Sequence, residues 1–118
     1  MAKSYALGPD QIKPLIRDDV GCYLSDAVLV EGRKVGYMYR EEPDREFFDS
    51  GWRFFAGDES DEYVNSADNI TICAVNTVAN YDAEIIPLLS APFGSAFERR
   101  GGTGPLVEMI GAVEGRSG

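Results

Sequence analysis

The chain contains no histidine among its 118 residues. Histidine is the usual general base near neutral pH, the commonest metal ligand and the usual partner of a nucleophilic serine or cysteine. Its absence removes Ser–His and Cys–His pairs and weakens the case for hydrolytic catalysis. We therefore predict a protein that is not an enzyme, with no catalytic residue, no cofactor and no metal ligand.

Basic side chains are scarce. Twenty Asp and Glu residues stand against eleven Lys and Arg, which gives a net charge of -9. A field of this sign repels phosphate backbones and anionic lipid, so it disfavours nucleic acid and membrane surfaces as binding partners. The same field favours association with a basic protein.

Long apolar runs are also missing. No stretch approaches the roughly 18 apolar residues of a membrane span, and the N-terminus has no basic-then-apolar signal pattern. The chain has two cysteines, Cys22 and Cys73, each in an apolar context. These features predict a cytoplasmic protein with two buried free thiols rather than a disulfide.

The length suits one domain, and the 44% hydrophobic content is enough for a core. We expect a single domain over residues 1–118, with a flexible arm at 1–10 and a flexible tail at 112–118. The fold class is predicted as α+β, a mostly antiparallel sheet with one or two short helices packed on one face. The predicted strands are 22–24, 34–40, 52–55, 69–75 and two final strands within 95–100 and 105–110. The residues of 34–40 alternate with a period of two, as in a half-buried strand, and 69–75 is expected to be a central strand because it is β-branched and apolar.

Capping residues predict where the short helices begin. Ser25 and Asp26 precede one turn, Asp58 precedes a helix to Val64, and Asn76 precedes another turn. Asp82 is expected to cap a helix through "AEIIPLLS".

An acidic run follows the "WRFF" strand. Asp58, Glu59, Asp61 and Glu62 lie within five residues. The calcium loop of an EF-hand requires glycine at its sixth position, where this run has Tyr63, so that template fails. Three interpretations remain: a solvated helix start, a surface that binds a partner, and a looser divalent-cation or carboxylate-catalysis site.

The basic residues form no motif of their own. Lys34, Arg40, Arg53, Arg99 and Arg100 are interpreted as scattered surface charge. Of the aromatic residues near them, alternate members are expected in the core and the others on a sheet face.

One combination of motifs is much more specific. The run "GWRFFAGDESDEYV", followed by "NITICAVNTVANYDAEIIPLLSAPFGSAFER", resembles the bacterial immunity protein thirty-three family. The preceding "SDAVLVEGRKVGYMYREEP" is similar to the N-terminal part of that family. The resemblance covers roughly Cys22 to Arg99, and we assign a family-like core to residues 20–100.

The resemblance implies a protein that neutralises a bacterial toxin by binding it, and it supplies no catalytic or cofactor residues. A strongly acidic inhibitor suits a toxin with a basic surface. We therefore predict a non-enzymatic binding protein whose partner is a basic protein toxin, contacted by Asp58, Glu59, Asp61 and Glu62. The alternative is a small carboxylate-dependent enzyme or a domain that binds a divalent metal or another ligand.

Overall fold

A computed structural model of the chain describes residues 5–16, 20–43, 49–99 and 103–109. The predicted tail at 112–118 and residues 1–4 of the predicted arm lie outside these ranges. The strands are β1 (Gly21–Ser25), β2 (Tyr37–Arg40), β3 (Asp49–Phe55), β4 (Ile70–Ala74), β5 (Ala96–Arg99) and β6 (Leu106–Glu108). The α-helices are α1 (Asp26–Leu29), α2 (Asp61–Val64) and α3 (Val75–Tyr81), and 3₁₀ helices span Pro9–Gln11, Ala67–Asn69 and Ala83–Leu88. Within the described ranges, none of the helices has the length and apolarity that crossing a membrane requires.

The six strands form one sheet in the order β4-β1-β3-β2-β5-β6. Of the five strand pairs among the described residues, β1–β3 is parallel and the other four are antiparallel. The predicted α+β fold with a mostly antiparallel sheet is therefore confirmed. The prediction that residues 69–75 form a central strand is wrong, because β4 lies at an edge and its Ile72 is 59% exposed. β-Branched residues favour any half-buried pleated surface, and an edge strand offers one as well.

The two faces of the sheet differ in what covers them. One face carries the core side chains, among them Leu24, Met38, Trp52 and Phe54, all essentially inaccessible to solvent. The helical members of the same core cluster come from α1, α3 and the 3₁₀ helix Ala83–Leu88. The alternation along β2 places Met38 in this core, so its neighbours Tyr37 and Tyr39 lie on the opposite face.

Local hydrogen bonds fix the helix starts. Ser25 caps α1 through the Ala27 N–H, and Asp82 caps the following 3₁₀ helix through the Glu84 N–H, as predicted. The predicted cap of α2 is wrong, because Ser60 and not Asp58 accepts the Tyr63 N–H.

The predicted cap at Asn76 is also wrong. The helix α3 begins one residue earlier, directly after β4, and its N-cap position is Ala74. The Asn76 side chain points to the N-terminal segment instead, where its oxygen accepts hydrogen bonds from the N–H groups of Leu15 and Ile16 at 2.7 and 3.1 Å. Thus Asn76 joins residues 15–16 to α3.

Candidate partner-binding surface

The acidic run begins in the connection between β3 and α2 and continues into the first turn of α2. Its first two carboxylates are engaged within the molecule. Asp58 Oδ2 lies 2.8 Å from Arg33 Nη2, although 66% of the Asp58 side chain is exposed. The hydrogen bond from Arg33 lowers the pKa of Asp58 below its usual value, so the group stays ionised.

Glu59 is held by its own turn. Its two carboxylate oxygens accept hydrogen bonds from the N–H groups of Ala56 and Gly57, at 2.8 and 2.9 Å. Burial raises the pKa of Glu59, but a hydrogen bond with Ser25 and these two backbone donors outweigh it and leave the pKa lowered. Glu59 therefore shapes the connection between β3 and α2.

The last two acids are displayed to solvent. Asp61 and Glu62 form the first turn of α2, and both are exposed. Carboxylates at this position favour the helix because they lie near the positive end of its dipole. The structure thus separates the run into an engaged pair, Asp58 and Glu59, and an accessible pair, Asp61 and Glu62.

An open groove of about 810 Å³ borders the acidic run. Its charged lining mixes both signs, with three basic residues, Arg33, Lys34 and Arg99, and two acidic ones, Asp58 and Glu98. The excess negative charge of this region is therefore carried by the accessible pair outside the groove. Among the residues that the structure describes, no three acidic or cysteine side chains are grouped to hold a metal ion.

The interpretation of Arg53 as surface charge is wrong. Its side chain is 3% exposed, and its guanidinium contacts Asp49 at 2.8 Å and Glu41 at 2.6 Å. Burial lowers the pKa of Arg53, but the hydrogen bonds that it donates to these two carboxylates raise its pKa far above the usual value. A signal for this pair is present in the sequence, because residues four apart on a strand share one face and Asp49 precedes Arg53 by four.

The same interpretation is wrong for Arg99, whereas Arg100 lies outside the described residues. Arg99 is 6% exposed and binds the carboxylates of Asp82 and Glu84 at 2.7 and 2.8 Å. No local spacing relates these residues, since they lie on different elements 15 and 17 positions apart.

Both cysteines are free, as predicted. Cys22 is buried, as predicted, but the prediction of a buried Cys73 is wrong, because its side chain is only partly buried on the edge strand β4. The two cysteines occupy directly opposed positions on β1 and β4. Burial and the neighbouring Cys73 raise the pKa of the Cys22 thiol well above its usual value. Cys22 is therefore a poor nucleophile at neutral pH.

Comparison with known families finds a match to the model described as "Immunity protein Imm33 domain", over residues 22–109. This range runs from the second residue of β1 to the residue after β6. The matched range includes all six strands, apart from the first residue of β1 (Gly21), and it includes the whole acidic run. Comparison with curated proteins and with solved structures finds no match.

Proposed function

The chain belongs to the Imm33 immunity protein family, and on this basis we propose that it neutralises a bacterial protein toxin by binding to it directly. The family match over residues 22–109 is the observation that carries the proposal. In this proposal the protein acts in the cytoplasm and performs no chemistry of its own.

The proposed partner is a toxin with a basic surface. The net charge of -9 supports this choice, because opposite charge speeds encounter and selects partners. The same charge disfavours nucleic acid and anionic lipid as competing partners.

The proposed contact includes Asp58, Glu59, Asp61 and Glu62, with unequal roles. Asp61 and Glu62 can contact a partner without any rearrangement of this chain, because they are exposed on the first turn of α2. Asp58 contributes if a partner cation replaces or joins Arg33, since most of its side chain faces solvent. Glu59 holds the turn that presents the other three.

The proposal is tested by capture followed by neutralisation. The purified full chain is immobilised, proteins from a lysate of the native host are captured at low and at moderate salt, and they are identified by mass spectrometry. The expected result is one basic protein whose retention falls with salt, whose expression alone is toxic, and whose toxicity is suppressed when this chain is co-expressed. A host whose toxins are neither bound nor suppressed would refute the proposal.

A charge-reversal pair tests the acidic residues. The variant Asp61→Lys/Glu62→Lys is expected to weaken toxin binding about tenfold or more, mainly through slower association. The control Asp10→Lys/Glu42→Lys makes the same change in net charge at two exposed positions away from α2. Equal losses in the two variants would show that only net charge matters and that α2 is not the contact.

A further inference from the structure

The face of the sheet opposite the core carries a triangle of aromatic rings. The ring centroids of Tyr37 and Tyr39 are 5.7 Å apart, and each lies 6.1 Å from the ring of Phe55. The three side chains are partly exposed, and they come from adjacent strands in which Tyr37 and Phe55 are direct cross-strand partners. We call the surface formed by Tyr37, Tyr39, Phe55 and the neighbouring Tyr23 the aromatic sheet face.

The aromatic sheet face continues toward the β4 edge. Arg53 pairs with Tyr39 on one side and with Tyr23 on the other. Beyond Tyr23 comes Ile72, its partner on β4, a large apolar side chain that is 59% exposed. The partly exposed apolar side chains thus lie on both sides of Arg53, whose guanidinium covers the Tyr23 ring. Exposed apolar side chains clustered beside charged groups are typical of a protein interaction site.

Three carboxylates lie near the rings, and the groove that Tyr37 shares with Glu98 is also lined by Arg33, Lys34 and Arg99. Glu98 is the cross-strand partner of Tyr37 on β5, Glu41 lies two residues beyond Tyr39, and Glu59 borders the same depression as the triangle. Arg53 does not make the net charge of this surface positive, because its single positive charge is paired with two carboxylates, those of Asp49 and Glu41.

The pKa values of the tyrosine hydroxyls are shifted by burial and by the nearby carboxylates. Burial raises the pKa of Tyr37, and Glu98 raises it further. Burial likewise raises the pKa of Tyr39, with Glu41 adding to the effect. Both phenols therefore stay protonated and neutral at physiological pH, so the surface offers neutral rings with the carboxylates of Glu98, Glu41 and Glu59 nearby.

We propose that the aromatic sheet face is the anchor of the toxin interface and that it receives arginine or lysine side chains of the partner between its rings and carboxylates. This inference rests on the proposed function and names the part of the molecule that holds the partner. Aromatic residues dominate binding energy at interfaces, whereas exposed charges chiefly set the association rate.

The chemistry of the occupant follows from the way this chain uses its own arginines. The Arg53 guanidinium lies 4.1 Å from the ring centroid of Tyr23, and that of Arg40 lies 4.7 Å from the ring of Phe93. Cations bind ring faces in this way, and a carboxylate beside the ring strengthens the attraction. A second copy of the chain is a poorer occupant, because each copy carries a charge of -9 and would bring carboxylates against carboxylates.

The first experiment needs no toxin. The full chain, labelled with ¹⁵N, is titrated with a ten-residue arginine peptide, and amide shifts are followed by NMR. The expected result is saturable binding with the largest shifts in β2 and β3 around Tyr37, Tyr39 and Phe55. The variant Tyr39→Leu keeps an apolar side chain but removes the ring, so it should weaken binding at least threefold. Shifts confined to Asp61 and Glu62, or unchanged binding by Tyr39→Leu, would overturn the proposal.

The second experiment uses the captured toxin and separates this proposal from the proposed function. The variant Tyr37→Ala/Tyr39→Ala, with its fold checked by circular dichroism, should dissociate from the toxin at least tenfold faster, with little change in association rate. The control Tyr5→Ala removes a half-exposed tyrosine elsewhere and should bind as the unchanged chain does. If the double variant binds like the unchanged chain, this proposal fails and the proposed function stands. If the peptide binds at the face but host toxins are not bound, the proposed function fails and the face remains a site for cationic side chains.

Discussion

Asp82 and Arg99 form a buried ion pair in which Oδ2 and Nη2 are 2.7 Å apart. Both residues also bind the same backbone segment. Asp82 Oδ2 accepts a hydrogen bond from the Val35 N–H at 3.1 Å, and Arg99 Nε donates to the Val35 carbonyl at 3.0 Å. The pair therefore fixes the segment leading into β2 against both the end of α3 and β5.

Removing one member of this pair should be costly. In the variant Asp82→Ala the guanidinium of Arg99 stays buried without its inner carboxylate, and the N–H groups of Val35 and Glu84 lose their acceptor. We expect the free energy of unfolding to fall by about 3–5 kcal/mol, measured by urea denaturation. The control Glu84→Ala removes the exposed partner of the same guanidinium and should lower the free energy of unfolding much less than Asp82→Ala does. A loss below about 1 kcal/mol for Asp82→Ala would contradict the structural role.

Substitutions at two glycines allow the cost of steric crowding to be measured apart from the cost of backbone strain. A Cβ at Gly36 would lie 1.9 Å from the carbonyl oxygen of Ala56, whereas one at Gly94 would meet nothing within 4 Å. Gly94 instead has a positive φ of 96°. Gly94→Ala should therefore cost about 1–2 kcal/mol from strain alone, and Gly36→Ala should cost more because the backbone must separate. Thermal unfolding of both variants tests this order, and equal midpoints would show that the close approach at Gly36 is readily relieved.

Stability should depend on the ionisation of Glu59. The folded-state pKa of Glu59 lies below its ordinary value of 4.5, so the unfolded chain binds the proton more tightly. The contribution of Glu59 is then complete above pH 4.5 and is lost as the pH falls through the folded-state pKa. Glu59→Gln should be about 1 kcal/mol less stable at neutral pH, because an amide accepts from the two N–H groups less well. Unfolding followed from pH 7 to pH 3 should show this difference shrinking in acid, and a constant difference would count against the ionised form.

The two cysteines should react at different rates. Cys22 is inaccessible and its thiol pKa is raised, whereas Cys73 is partly exposed. Brief treatment of the native chain with iodoacetamide at about pH 8, followed by mass spectrometry, should label Cys73 first. Unfolding in urea should make the two rates similar. Equal labelling of both residues in the native chain would show that β1 and β4 separate easily.

Local patterns predicted which segments form strands, but not which strands become neighbours. The period of two identified β2, and Ser25 and Asp82 were recognised as caps from their positions. The edge position of β4 depends on pairing with β1, about fifty residues earlier, and no short window contains that information.

For the candidate site, too, local sequence predicted the exposure of individual residues but not their long-range partners. The exposure of Asp61 and Glu62 follows from their place at a helix start. The partner of Asp58 is Arg33, 25 residues away in the sequence, and a local pattern cannot reveal it. Buried arginines were missed for the same reason, because a charged side chain is recognised as internal only when its counter-ions are known.

The pairing of β2 with β5 has a consequence for synthesis on the ribosome. Translation delivers β1 to β4 first, yet β2 lacks its second neighbour and Asp82 lacks its guanidinium until Arg99 has been made. Until that point the nascent chain leaves one edge of β2 without a neighbouring strand. The carboxylate of Asp82, which is buried in the folded protein, then has no guanidinium to balance its charge. The β2–β5 pairing and the Asp82–Arg99 ion pair therefore form only after Arg99 has been synthesised, and a chain terminated before residue 96 lacks both β5 and the cation of this ion pair.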